Sequence, residues 1–392
     1  MRSTRANDGA PVKPGPAPLP PETSNSGSGF PSPNEIPYPI HPNVRREIDS
    51  VLQDISRSPD PTCSQLVQAI ARHHGIAPDN IVVGPGRLAL ATGVALAAAD
   101  AAESEIMYLS PTLEGISASA RIARMNQVPV PLSDGCALDL ENISKLASER
   151  TRLIYLCNPN EPTGLPLERP QIEGLLRRLP RTTTVLVDQT YADFVDDRLD
   201  VDMTGLQRHY PNLTILRSFS AADGLAGLPA GYVMANSPIV HKLHEYMLPF
   251  TIDTVTQAAA KAALADLRQR ALRIRGIIEQ REFMHRELVS CGYHLPKSGA
   301  NFLWVPLGPA SLDFAVACRE AGIDVRLYVQ RGVRVSVGKP EENRLLLHTA
   351  REFAKQNGVP DSGPGGYAQR DTSGGGSAAH EPRPCPVGAF SG

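Results

Sequence analysis

Apolar and polar positions alternate in blocks along most of this chain. Continuous apolar runs stand at 80–84 (NIVVG), 105–109 (EIMYL), 127–132 (QVPVPL), 152–157 (RLIYLC), 183–188 (TTVLVD), 213–217 (LTILR) and 231–235 (GYVMA). Each predicts a strand. Segments of helical length separate most of them, at 88–102, 114–124, 138–148 and 170–178. Runs without polar alternation are buried on both faces, so the pattern predicts a mostly parallel sheet covered by helices on both sides. Gly224-Leu225 and the PAG at 229–231 make the last connection tight. The stretch 252–290 has a helical period and leads into a second, smaller α/β region. There 301–307 (NFLWVPL) and 332–338 (GVRVSVG) read as strands, and 311–322 and 340–356 as helices. The latter opens with KPEEN, placing Pro and acids where free N–H groups favour them.

Composition narrows the classes. A chain of 392 residues with 41% apolar content suits two domains around sizeable cores. Net charge is −2 and the basic residues do not cluster, which argues against nucleic-acid or anionic-membrane partners. The six cysteines show no CxxC spacing and read as reduced thiols of a cytoplasmic protein, with no metal site. The longest apolar stretch, 88–102, is too short to span a bilayer, and no secretory h-region opens the chain. Residues 1–33 and 358–392 are rich in Pro, Gly and Ser and are expected to be disordered. The ordered part divides into an arm with part of the small domain (34–57), a large domain (58–265) and a small domain (266–357).

Two turns follow strands and carry candidate chemistry. CNPNEPTG (157–164) is a rigid turn at a strand's C-terminal end, where ligands sit in open α/β sheets. VDQTYADF (187–194) ends a strand on Asp188, with Tyr191 three residues on. By themselves these are a turn and a carboxylate, and a purely structural role stays open.

In order, NEIPYPIHPNV (34–44), the SPDP…NIVVGPG stretch (58–86), NPNEPTG, DQTY, SFSAADGLAGLPAGY and VRVSVGKPEEN form a longer pattern. Over about 34–357 the chain resembles class I/II, fold type I aminotransferases that use pyridoxal phosphate, and more narrowly histidinol-phosphate aminotransferases. The resemblance implies a three-layer α/β/α large domain with a seven-stranded sheet, a smaller α/β domain, and a homodimer with its site at the subunit boundary. It also implies a lysine that bonds the cofactor, an aspartate on the pyridine nitrogen, phosphate donors, and an arginine for the substrate carboxylate.

Carried over residue by residue, Asp188 stands as the pyridine partner and Tyr191 as the tyrosine at the cofactor's phenolic oxygen. Ser220 matches a phosphate-contacting serine, Gly84 and Gly86 the glycines of the phosphate turn, and Arg334 the carboxylate-binding arginine, with Arg331 nearby. The departures are Ala221 at the Schiff-base lysine position and Pro229 at the phosphate arginine. Ser58 replaces a tyrosine reaching the neighbouring subunit's site. Arg87 and Leu88 replace a Ser-Asp pair, Leu113 the stacking aromatic, and Glu161 an asparagine. Arg87 and Glu161 are expected to pair, to bind a different ligand, or to form a filler salt bridge.

An engineered lysine change would explain Ala221 and leave the other departures unexplained. A misplaced lysine would have to be Lys242 or Lys261, both on helical stretches past the turn. The expectation is therefore a diverged family member, binding an amino-acid-like or carboxylate ligand at Arg334, Arg87 and Glu161, with pyridoxal or pyridoxamine phosphate absent or weakly held. It would catalyse a step other than transamination. Two alternatives stay open. One is a silent subunit partnering an active homologue. The other is an enzyme with non-covalent cofactor, using Tyr191, Ser220 or Asp223 as substitute base.

Overall fold

A strand buried on both faces needs apolar side chains along its length, and runs such as 152–157 and 184–188 meet that need, whereas the run at 126–131 is largely exposed. The computed structural model describes residues 34–133, 136–196 and 199–358. The tail segments expected to be disordered lie outside the described residues, apart from 358, as does Cys385. From the N-terminal side come α1 (Pro42–Val51), α2 (Ser64–His74), β1 (Ile81–Gly84), α3 (Arg87–Ala98), β2 (Glu105–Ser110) and α4 (Gly115–Ile122). Then follow β3 (Asn126–Pro131), α5 (Leu140–Leu146), β4 (Thr151–Cys157), α6 (Arg169–Arg178), β5 (Thr184–Asp188), α7 (Met203–His209), β6 (Leu213–Ser218) and β7 (Gly231–Met234).

The seven strands form one sheet in the order β1-β7-β6-β5-β4-β2-β3. The five strands from β6 to β3 run parallel. β7 lies antiparallel to both neighbours. The segment 219–230 holds no helix to carry the chain back across the sheet, so β7 returns in the opposite direction. Successive side chains point to opposite layers: Leu153 and Tyr155 join one core, Ile154 and Leu156 the other. Burying such side chains stabilises by about 1.5–3 kcal/mol each.

After α8 (Ser237–Tyr246), the predicted long helix is two: α9 (Thr254–Ala265) and α10 (Leu267–Ser290). Asp266 breaks it, because its side chain accepts from the Gln269 N–H and caps α10. The remaining elements are β8 (Phe302–Pro306), α11 (Ser311–Glu320), β9 (Arg326–Tyr328), β10 (Gly332–Ser336) and α12 (Pro340–Asn357). The three strands form an antiparallel sheet with β10 in the middle. No described helix is long and apolar enough to cross a membrane.

Candidate functional site

A cavity of about 570 Å³ opens beyond the C-terminal ends of β4, β5 and β6. Its wall includes Asn34, the first turn of α3 (Gly86, Arg87, Leu88), Leu113, Glu114, Glu161, Tyr191, Ser218, Ser220, Ala221 and Pro229. Arg326, Tyr328 and Arg334 close it from the small sheet. Open α/β sheets place ligands at these strand ends because the loops leaving them diverge there.

Glu161 is the hub. It is 5% exposed, and one carboxylate oxygen accepts from Arg334 while the other accepts from Arg87. The Tyr191 hydroxyl donates to Oε2 at 3.0 Å, and Asn34 Nδ2 donates to Oε1 at 3.2 Å and to the Tyr191 hydroxyl at 2.7 Å. Burial alone would raise the Glu161 carboxyl, but Arg87 and Arg334 hold it down to about 2. Burial pushes the Tyr191 hydroxyl well above its ordinary value, so it stays a donor. Of the outcomes open for Arg87 and Glu161, the structure shows the pair, extended to Arg334.

Asp188 ends β5 and is 1% exposed. Its Oδ2 accepts from the Tyr155 hydroxyl at 2.7 Å, and its Oδ1 from Thr190 N and Oγ1 at 3.0 and 2.6 Å. Arg87 Nη1 stands 3.8 Å from Oδ2. Ser220 lies at the cavity wall with its Oγ 2.8 Å from that of Ser218. Ala221, 1% exposed, lies beside it, and no lysine stands among the described residues of the wall.

Other expected residues are placed elsewhere. Asp223, a candidate substitute base, faces away from the cavity wall and pairs with Arg270 at 2.8 Å; Arg270 and Arg217 both bind Asp193. Gly84 is a packing position, since a Cβ there would come within 2.7 Å of Leu90 and Met247. Ser58 and Lys261 line a separate cavity, and Arg331 a neighbouring one. Asn34 and Tyr155 join the site although neither stood out as a candidate in the sequence. Asn34, at φ 73°, also donates its N–H to Ser336; its signal was an asparagine, the residue type that tolerates this backbone. Tyr155 sits in an apolar run and gave no signal.

The cavity suits an anionic group. Two buried guanidinium nitrogens, Arg87 Nη1 and Arg334 Nε, have no hydrogen-bond partner. A helix start, two serine hydroxyls, two arginines and Tyr191 line one space, and Asp188 lies outside that wall, 3.8 Å from Arg87. These residues fit a phosphate-bearing cofactor together with a carboxylate.

Residues 32–349 match the model of the class I and II aminotransferase family. The chain is 34% identical over 326 residues to an aromatic amino acid aminotransferase of Thermobifida fusca, covering 83% of this chain and 90% of that one. It is 37% identical over 314 residues to the same-named protein of Rhodococcus opacus, covering 80% and 87%. The histidinol-phosphate aminotransferase of Sinorhizobium meliloti, solved with pyridoxal-5'-phosphate, superposes with a TM-score of 0.74 at 27% identity, covering 82% and 89%. These relatives overturn the expectation of an absent or weakly held cofactor and point to bound pyridoxal phosphate. That expectation weighed the side chains lost at 221 and 229. It left out the helix start, the paired serines and the unspent arginine nitrogens, which need no lysine to attract an anion.

Proposed function

We propose, from the premise that this chain belongs to the class I and II aminotransferase family, that its cavity binds pyridoxal phosphate and an amino acid without a lysine bond to the cofactor. The observation that carries this reading is the wall itself. Ala221 is there, no described lysine is, and two buried arginine nitrogens await an anion. When bound, pyridoxal phosphate supplies an electron-accepting ring to amino-acid chemistry. Asp188 would hold its ring nitrogen, Tyr191 its phenolic oxygen, and Ser218, Ser220 and the start of α3 its phosphate. Arg334 offers a planar fork to the ligand's carboxylate.

Proton handling separates this chain from a lysine-dependent transaminase. Asp223 is engaged by Arg270. Tyr191 keeps its proton and donates a hydrogen bond to Glu161. Ser220 is the remaining candidate, and a serine hydroxyl without an adjacent base is a poor proton acceptor.

The test treats the purified chain with pyridoxal phosphate, then borohydride, followed by digestion and mass spectrometry. Pyridoxal phosphate that co-elutes with the chain on gel filtration, with no reduced lysine adduct at the cavity, is the expected result. A stoichiometric adduct on one lysine overturns it. A second reading, ordinary aromatic-amino-acid transamination, is favoured by the names of the relatives at 34–37% identity. Turnover of phenylalanine or tyrosine with 2-oxoglutarate at ordinary enzymatic rates would establish it instead.

A further inference from the structure

We infer that Arg87 anchors the cofactor's phosphate, replacing the guanidinium that position 229 does not supply. The inference rests on the cofactor reading above and concerns a residue that reading leaves tied to Glu161.

Four observations converge on it. Arg87 is the first residue of α3, and no side chain caps that helix start. The local N–H groups and the helix dipole therefore favour an anion there. Its Nη1 is buried and makes no hydrogen bond, although Asp188 lies 3.8 Å away. Pro229 shares the wall: a Cβ built on Gly86 would lie 3.6 Å from the Cβ of Pro229. Positions 87 and 229 thus begin from the same end of the cavity, while the Arg87 guanidinium now reaches across to Glu161, 5.4 Å from the centroid of the Tyr191 ring. Ser218 and Ser220 complete that end with two hydroxyls 2.8 Å apart.

Arg87 can leave its pairing without stranding a charge. If Arg87 turns to a phosphate, Glu161 keeps Arg334, Tyr191 and Asn34. Asp188 keeps Tyr155 and Thr190. Neither carboxylate is stranded, so the move avoids the cost of an unpaired buried charge. A dianionic phosphate also offers the planar guanidinium a two-point partner.

The experiment is calorimetric titration of the full chain with pyridoxamine phosphate and with pyridoxamine, neither of which bonds to lysines. In wild type, the phosphate ester binds far more tightly than the alcohol. Arg87→Gln weakens the phosphate ester about 10- to 100-fold, the loss of one charge-assisted contact, and leaves pyridoxamine within twofold. Adding Pro229→Arg to Arg87→Gln recovers most of the loss. Arg87→Lys keeps the charge without the fork and serves if the glutamine variant does not fold; it weakens the ester several-fold. Equal weakening of ester and alcohol, or tight ester binding by both Arg87 variants, overturns the inference while leaving the cofactor reading intact. If the wild-type chain binds neither compound, the cofactor reading itself falls.

Discussion

Replacing Glu161 by glutamine removes the one charge that buried Arg334 and the partly buried Arg87 share. The magnitude can be worked in two ways. Breaking a buried ion pair by deleting one partner costs about 3–5 kcal/mol. A carboxyl that ordinarily titrates at 4.5 and here titrates at about 2 carries about 3 kcal/mol of folded-state preference for its charged form, at roughly 1.4 kcal/mol per pH unit. The two routes agree. The sign follows from linkage: the folded value lies below the unfolded one, so the contribution is present above pH 4.5 and is lost as pH falls towards 2. Urea unfolding followed by Trp304, the chain's one tryptophan and a buried one, is the assay. At pH 7 Glu161→Gln should be less stable than wild type by about 3 kcal/mol, and this gap should close on acidification. The double variant Glu161→Gln/Arg334→Met should lose less than the sum of the singles, by at least about 1 kcal/mol. A loss below about 1 kcal/mol at pH 7, or a gap unchanged between neutral and acid pH, refutes the reasoning.

Two further outcomes follow from the geometry. Arg270→Met leaves Asp223 without its ion-pair partner and Asp193 with Arg217 alone; thermal unfolding should show a loss of about 3 kcal/mol, with pyridoxamine phosphate affinity unchanged. Tyr246, Leu248 and Phe250 are 45%, 74% and 54% exposed on and after α8, an apolar patch that suits a subunit contact. Light scattering should therefore give the mass of two chains, and Leu248→Asp with Phe250→Asp should shift it towards one.

The sheet was legible because a doubly buried strand must be apolar throughout, and such runs as 152–157 and 183–188 have no helical alternative of that length. The break at Asp266 was missed because a helical period continues across it; the capping aspartate was a readable sign. β9 was missed because its three residues carry no period. In the site, Asp188 and Tyr191 were found from their place after a strand. Of the hub around Glu161, the Arg87 pair was among the expected outcomes; the contact with Asn34, 127 residues away, was not, because no local pattern encodes that distance. Asp223 was offered to the cavity for its nearness to Ala221 in sequence. Arg270, 47 residues on, takes it elsewhere.

Asn34 and Arg334, which meet at Glu161, stand almost at opposite ends of the described residues. During synthesis all seven strands of the large sheet have been made by residue 234, and that sheet can pair while the ribosome is still adding residues. Glu161 then has Arg87 but not Arg334, and Asn34 has no Ser336 to receive its N–H. The pocket is therefore among the last features to exist. A chain cut short before β10 would have its main sheet, α3 and the Ser218–Ser220 pair, but no Arg334.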